Sequence, residues 1–188
     1  MVKLYAACVA VALSLAPLPA HADDITDAIE QARKSYGAGD LAGAKQSLDL
    51  ASQLIGQKNA ESFGALLPAP LSGWKAEDVQ TTALGQVGFG VSSASRRYEN
   101  AKGDNVEVQI TGDSAMIMQF ATLMSNPGIA GAMGKLIKVG DQRAIQTREG
   151  DVHIVVANKF LVIVTGSADG PSKLAYAQAV NFAKLAKM

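Results

Sequence analysis

The sequence predicts an α+β fold: an antiparallel β-sheet of about six to seven strands flanked by helices, with an αα-hairpin ahead of it. Three observations carry this expectation. Apolar residues recur at helical spacing between 23 and 59, and a proline-bearing joint at 60–73 leads into the only tryptophan, Trp74. Beyond Trp74 the hydrophobic period changes to two, the signature of strands with one buried face. The chain thus divides into residues 1–22, a helical hairpin at 23–59, a Pro-containing connector at 60–73 and a sheet domain at 74–188.

Residues 1–22 have the pattern of a signal peptide. Lys3 gives a positive start, residues 4–15 an apolar run, and Pro17 and Pro19 break it. Ala20-His21-Ala22 fits the small-x-small site of signal peptidase and is followed at once by Asp23-Asp24. The apolar run is about a dozen residues against the ~20 that span a bilayer, which disfavours an uncleaved anchor. Cys8 as a lipidated anchor is disfavoured too, because only Leu4-Tyr5-Ala6-Ala7 would precede it as an apolar segment. Cleavage after Ala22 is expected, and with it a bacterial envelope protein, periplasmic or secreted, without a membrane span.

Cleavage also removes Cys8, His21 and Lys3. The remaining chain then has no thiol for catalysis, disulfide or metal, and His153 as its sole histidine. Its 17 Lys and Arg become 16 against 17 Asp and Glu, a net charge of −1. That balance makes nucleic acid and anionic membranes poor partners. Its length suits one domain with a core of its own.

In the hairpin, Ile25, Ile29, Ala32 and Tyr36 form one helical stripe, and Leu41, Ala44, Leu48, Ala51 and Ile55 a second. Asp23 and Asp24 suit the first N-terminus; Gly37-Ala38-Gly39 stops that helix and Asp40 caps the next. Tyr36, the turn Gly39-Asp40-Leu41, Ala44, Leu48 and Ala51 resemble one tetratricopeptide unit over about 35 residues. A single unit cannot bury its stripe alone, so the hairpin is expected to pack on the sheet domain or, alternatively, to offer a docking groove.

The connector carries Pro68 and Pro70, which forbid regular pairing. Trp74 reads as a packing anchor, or alternatively as a stacking platform for a ligand. Strands are expected at 74–79, 91–98, 106–110, 136–139, 143–148, 152–157 and 160–166. Residues 84–90, with three glycines, suit a loop. Phe160-Leu161-Val162-Ile163-Val164 is apolar without alternation and reads as the central strand, covered on both faces. Gly112-Asp113-Ser114 is expected to cap a helix with Met116, Ile117, Phe120, Leu123 and Met124 on its apolar face, ended by Asn126-Pro127-Gly128. Asp169-Gly170-Pro171 opens a last helix running to the C-terminus.

The Leu67-Pro68 to Gly73-Trp74 entrance, a mid-chain helix, the Phe160 strand and a closing helix resemble the PsbP-like proteins over about 115 residues. The resemblance implies a binding or accessory role and carries no catalytic residue across.

Linear signatures of chemistry are few. Gly85-Gln86-Val87-Gly88-Phe89-Gly90 lacks the lysine and the strand-to-helix context of a phosphate loop, which leaves a mobile loop. Met116 and Met118 sit about 200° apart on a helix and cannot chelate copper(I) together. His153 has no second histidine or cysteine for zinc, and Ser92, Ser93 and Ser95 lie outside a nucleophile elbow. Arg96 and Arg97 point to opposite faces of a strand; the one sharing the face of Ala94 and Tyr98 needs a carboxylate such as Glu107 or Asp141, or marks an anion site, as do Arg143 and Arg148.

These observations point to a non-enzymatic module without a cofactor, binding an envelope protein or a small ligand. Tyr36, Asp40, Trp74, Arg96, Arg97 and His153 are its candidate contacts. The alternatives are a hydrolase-like enzyme without a linear motif, and a carrier holding a lipid or other apolar molecule between the sheet and the Met-rich helix.

Overall fold

A computed structural model describes residues 23–84, 91–112 and 115–188. The signal segment, the glycine-rich 85–90 and the Asp113-Ser114 cap expected from the sequence lie outside these residues. Two helices, α1 (Asp24–Gly37) and α2 (Leu41–Gly64), precede the strands β1 (Trp74–Ala76), β2 (Gln80–Leu84), β3 (Val91–Asn100) and β4 (Asn105–Gly112). Helices α3 (Ala115–Ser125) and α4 (Pro127–Met133) follow. Then come the strands β5 (Lys135–Val139), β6 (Gln142–Gln146), β7 (Val152–Val156) and β8 (Phe160–Thr165), and helices α5 (Gly170–Ala179) and α6 (Phe182–Leu185).

The strands form one antiparallel eight-stranded sheet in the order β1-β3-β4-β8-β7-β6-β5, with β2 also paired to β3. The fold is α+β. As the apolar run at 160–164 implies, β8 is central. Its burial nevertheless alternates: Phe160, Val162 and Val164 are buried and Leu161 and Ile163 half-buried, so the second face is only partly covered.

The inner face holds the core. Val108 and Ile110 of β4 pair in register with Val164 and Val162 of β8, Val106 pairs with Tyr98 of β3, and Val152, Ile154 and Val156 extend the layer across β7. The end of α2, α5 and residues 180–185 cover it. Gly112 is needed here: a Cβ would come within 2.6 Å of Phe63 Cζ and 3.0 Å of Phe160 Cδ1, two rings that meet edge-on at 5.7 Å.

Two tyrosines pin the connector to this face. The Tyr98 hydroxyl donates to the Pro68 carbonyl at 2.6 Å, and the Leu71 N–H donates to the Tyr176 hydroxyl at 3.2 Å. Trp74 closes the stack, its ring edge-on to Tyr176 at 5.4 Å. Burial raises the pKa of both tyrosines, so both stay neutral donors or acceptors.

Several expectations need correction. The helical stripes are buried only at their small residues: Ala32, Ala44 and Ala51 are buried as expected, and Ala28 with them, whereas Ile29, Tyr36, Leu41, Leu48 and Ile55 are exposed. Alanines let the helices approach closely, which leaves the large residues outside the seam. α2 runs on to Gly64, and from Gly56 to its end it lies against β2 and β3. Leu84, expected in a loop, is the last residue of a strand, β2, and the segment after Asn126 is a helix capped by the Asn126 side chain. The last helix breaks at Val180, and Asn181 caps a separate turn through Lys184 N–H. Asp40 and Asp169 cap α2 and α5 as expected, but the Asp23 carboxylate makes no capping bond. Among the described residues no helix is long and apolar enough to cross a membrane.

Candidate functional site

The outer face of the sheet is divided. Toward β3 and β4 it presents Ser95, Arg97, Glu107, Gln109 and Thr111, a polar surface. Toward β5–β7 it is apolar and roofed by α3 and α4: Met124, Ala130 and Ile145 are buried together, with Phe120 and Val155 packed against them.

The roof has an unusual composition. Residues 114–134 contain no Asp, Glu, Lys, Arg or His. Apolar side chains lie on both sides of it: Ile117 and Met124 are buried, while Met118, Leu123, Ile129 and Met133 are exposed. A helix apolar all round belongs in an interior or against an apolar molecule.

Three adjoining clefts of ≈ 430, 360 and 340 Å³ open where α3 ends, and Ser125 lines all of them. The largest is walled by Met124, Leu136 and Ile137 and bordered by Lys138 and Arg143. The next adds Val155 and Asp141, and the third adds Met118 and Lys159. Their sizes fall within the ~300–1,000 Å³ of small-molecule sites. The rim is further shaped by Ala157 and Asn158, both with positive φ (52° and 55°), as the primed turns that join tightly twisted strands require. For alanine that conformation costs about 1–2 kcal/mol.

The decisive electrostatic feature is a register. The short turn at Gly140-Asp141 pairs Val139 with Gln142 and so places Lys138 directly opposite Arg143. Like charges facing each other across an antiparallel ladder destabilise it. Neither cation, nor Lys159, enters an ion pair among the described residues, and Asp141 is the only carboxylate lining these clefts. A fourth cleft of ≈ 390 Å³ beside β1 has no such imbalance, since its Lys75 faces Glu99 in register.

The residues singled out from the sequence do not converge. Tyr36 is exposed on α1 and Asp40 is spent as a helix cap. Trp74 belongs to the core stack on the inner face. Arg96 does share the face of Ala94 and Tyr98, but it needs no carboxylate: its Nε donates to the Glu77 carbonyl at 2.7 Å, and the guanidinium lies 6.0 Å from the Tyr98 ring centre. Arg97, on the other face, lies 3.9 Å from Glu107 in an exposed pair.

His153 is half-buried on β7, its ring 6.2 Å from Phe120 under the roof. Burial holds its pKa below 6.5, and Asp151 opposes that shift. β4 and β8 intervene between β7 and β3, three strand spacings or about 14 Å, so no Ser–His pair forms with Ser92, Ser93 or Ser95. Among the described residues no three His, Cys, Asp or Glu side chains are grouped to hold a metal ion.

Two pairs escaped the reading of the sequence. The Lys138–Arg143 juxtaposition was recoverable from the Gly-Asp turn and strict strand counting. The buried Lys173–Asp151 pair was not, since nothing local marks Lys173 as facing inward. Comparison of the chain with protein-family models, curated proteins and solved structures finds no match. The geometry of the cleft therefore carries the functional argument.

Proposed function

We propose that this is an exported, non-catalytic binding protein that holds an anionic amphiphile, an acyl chain with one acidic head group, between the sheet and α3–α4. The observation that carries this reading is the Lys138–Arg143 pair at the border of an apolar cleft. The two cations repel each other in the empty protein, and an acidic head group between them removes that cost. Met124, Leu136 and Val155 offer the tail an apolar surface. The uncharged roof adds Met118, whose flexible thioether adapts to chains of different length. Support for export is the Ala20-His21-Ala22 cleavage site, and the resemblance to PsbP-like proteins agrees with an accessory role.

The test titrates the exported protein with dodecanoate below its micelle concentration, and with dodecyl maltoside as a neutral control. Dodecanoate should raise the melting temperature in proportion to occupancy, because a ligand bound only by the native state stabilises it. Replacing both cations (Lys138→Gln with Arg143→Gln) should abolish that rise. Equal stabilisation by the neutral amphiphile, or none by dodecanoate, overturns the reading.

A further inference from the structure

The hairpin carries a second surface, unrelated to the cleft. Ile29, Tyr36, Leu41, Leu48 and Ile55 are between 43% and 70% exposed, although each lies in a regular helix beside a fully packed seam. Their spacing is seven within each helix: 29 and 36, then 41, 48 and 55. Seven residues are close to two turns, so each set forms a line along its helix.

The two lines share a flank. At ~100° per residue, each lies roughly 30–80° from the buried alanines of its own helix, in the same rotational sense along the chain. The connector at 38–40 is short, so α1 and α2 run antiparallel. Facing antiparallel helices bring the same rotational sense to the same side, and the two lines merge into one strip. Among the described residues the sheet reaches α2 only from Gly56 onward, where Ala83 and Ser92 approach it, and all five side chains of the strip stay exposed.

We propose that this strip seats a second copy of the chain, two hairpins packing flank to flank about a twofold axis as a four-helix bundle. Three properties favour a copy over another partner. Lines with the same seven-residue spacing keep in step with each other when two copies run antiparallel. The charges beside it are already balanced within each helix, Arg33 with Glu30 and Lys45 with Asp49, so a copy meets no net repulsion. Five large apolar residues, each at least 43% exposed, make a patch on the scale of the few hundred Å² at which exposed apolar surface marks an interaction site, and a twofold axis doubles the area that it buries.

Sedimentation equilibrium of the exported protein across the micromolar range tests this. The wild type should give the mass of a dimer. Leu48→Glu on α2 and Tyr36→Glu on α1 should each give a monomer with unchanged helical circular dichroism, since both positions are exposed. A wild type that stays monomeric into the hundreds of micromolar overturns the proposal and leaves the strip to a different protein. A dimer indifferent to both substitutions overturns it as well, by placing the interface elsewhere. Neither result bears on dodecanoate binding, which depends on Lys138 and Arg143.

Discussion

Replacing Asp151 by alanine should be among the most costly single changes in this protein. Lys173, on α5, has a side chain only 3% exposed, and its Nζ donates to Asp151 Oδ1 at 2.6 Å and to the Glu149 carbonyl at 2.9 Å. Asp151→Ala leaves the ammonium facing a single carbonyl in a dry site, and breaking a buried pair in this way costs about 3–5 kcal/mol. The Asp151 carboxylate is itself 26% exposed, so water enters from that side and the lower end applies, about 3 kcal/mol. Lys173→Met is gentler: it removes the buried charge, keeps the apolar stem, and leaves a carboxylate that rehydrates. The residual cost is an unsatisfied Glu149 carbonyl, about 1–2 kcal/mol. The double variant should therefore be more stable than Asp151→Ala alone, which is the diagnostic result. Urea unfolding followed by Trp74 fluorescence reads all three, and about 3 kcal/mol corresponds to a fall of roughly 6–12 °C in Tm for a chain of this size. Equal losses for the two single variants, or a double variant worse than either, would refute the desolvation argument.

Tyr98→Phe removes the donor to the buried Pro68 carbonyl and should cost about 1–2 kcal/mol in a thermal melt, with the connector still in place. Trp74→Ala should cost about 3 kcal/mol, the low end for a large aromatic because the ring is half-buried; unchanged stability would mean that Trp74 serves recognition instead. The His153 imidazole is held below the unfolded value of 6.5, so the unfolded chain binds a proton that the native state resists. Stability should fall as pH drops from 6.5 through the lower native pKa, and His153→Phe should flatten that segment of the curve. A slope identical in wild type and variant counts against the assignment.

What the sequence discloses depends on whether a signal is local. Val106, Val108 and Ile110 alternate with Glu107 and Gln109 because one face of β4 meets the core, and that pattern is readable in isolation. Gln80–Leu84 carries no such contrast; β2 exists because β3 is long enough to pair with it beside β1. The hairpin misled for a related reason. Periodicity identified a helix and its apolar side correctly, but alanine and leucine weigh alike as apolar, and only packing decides which enters the seam. Arg96 was placed on the right face yet assigned the wrong partner, since a backbone carbonyl has no signature in the sequence. The site itself was half legible. A Met-rich helix beside a sheet was read as one alternative, whereas its cationic border follows from the Gly140-Asp141 turn only once the register of β5 and β6 is counted residue by residue.

The sheet order has a consequence for assembly. Strands β1–β4 pair only among themselves, as do β5–β8, apart from one junction where Glu107 meets Thr165 and Thr111 meets Leu161. The sheet therefore consists of two locally wired halves that share one long-range ladder, are packed together through Phe63–Phe160 and Trp74–Tyr176, and are tethered through α3 and α4. Local hairpins close quickly, so zipping β4 to β8 is the step that sets the folding time. Because loop-closure entropy grows only as the logarithm of length, extra residues between α3 and α4 cost little, ~0.6 kcal/mol per doubling. A chain cut at that tether becomes two fragments with complementary open edges, which makes the protein a natural candidate for a split reporter.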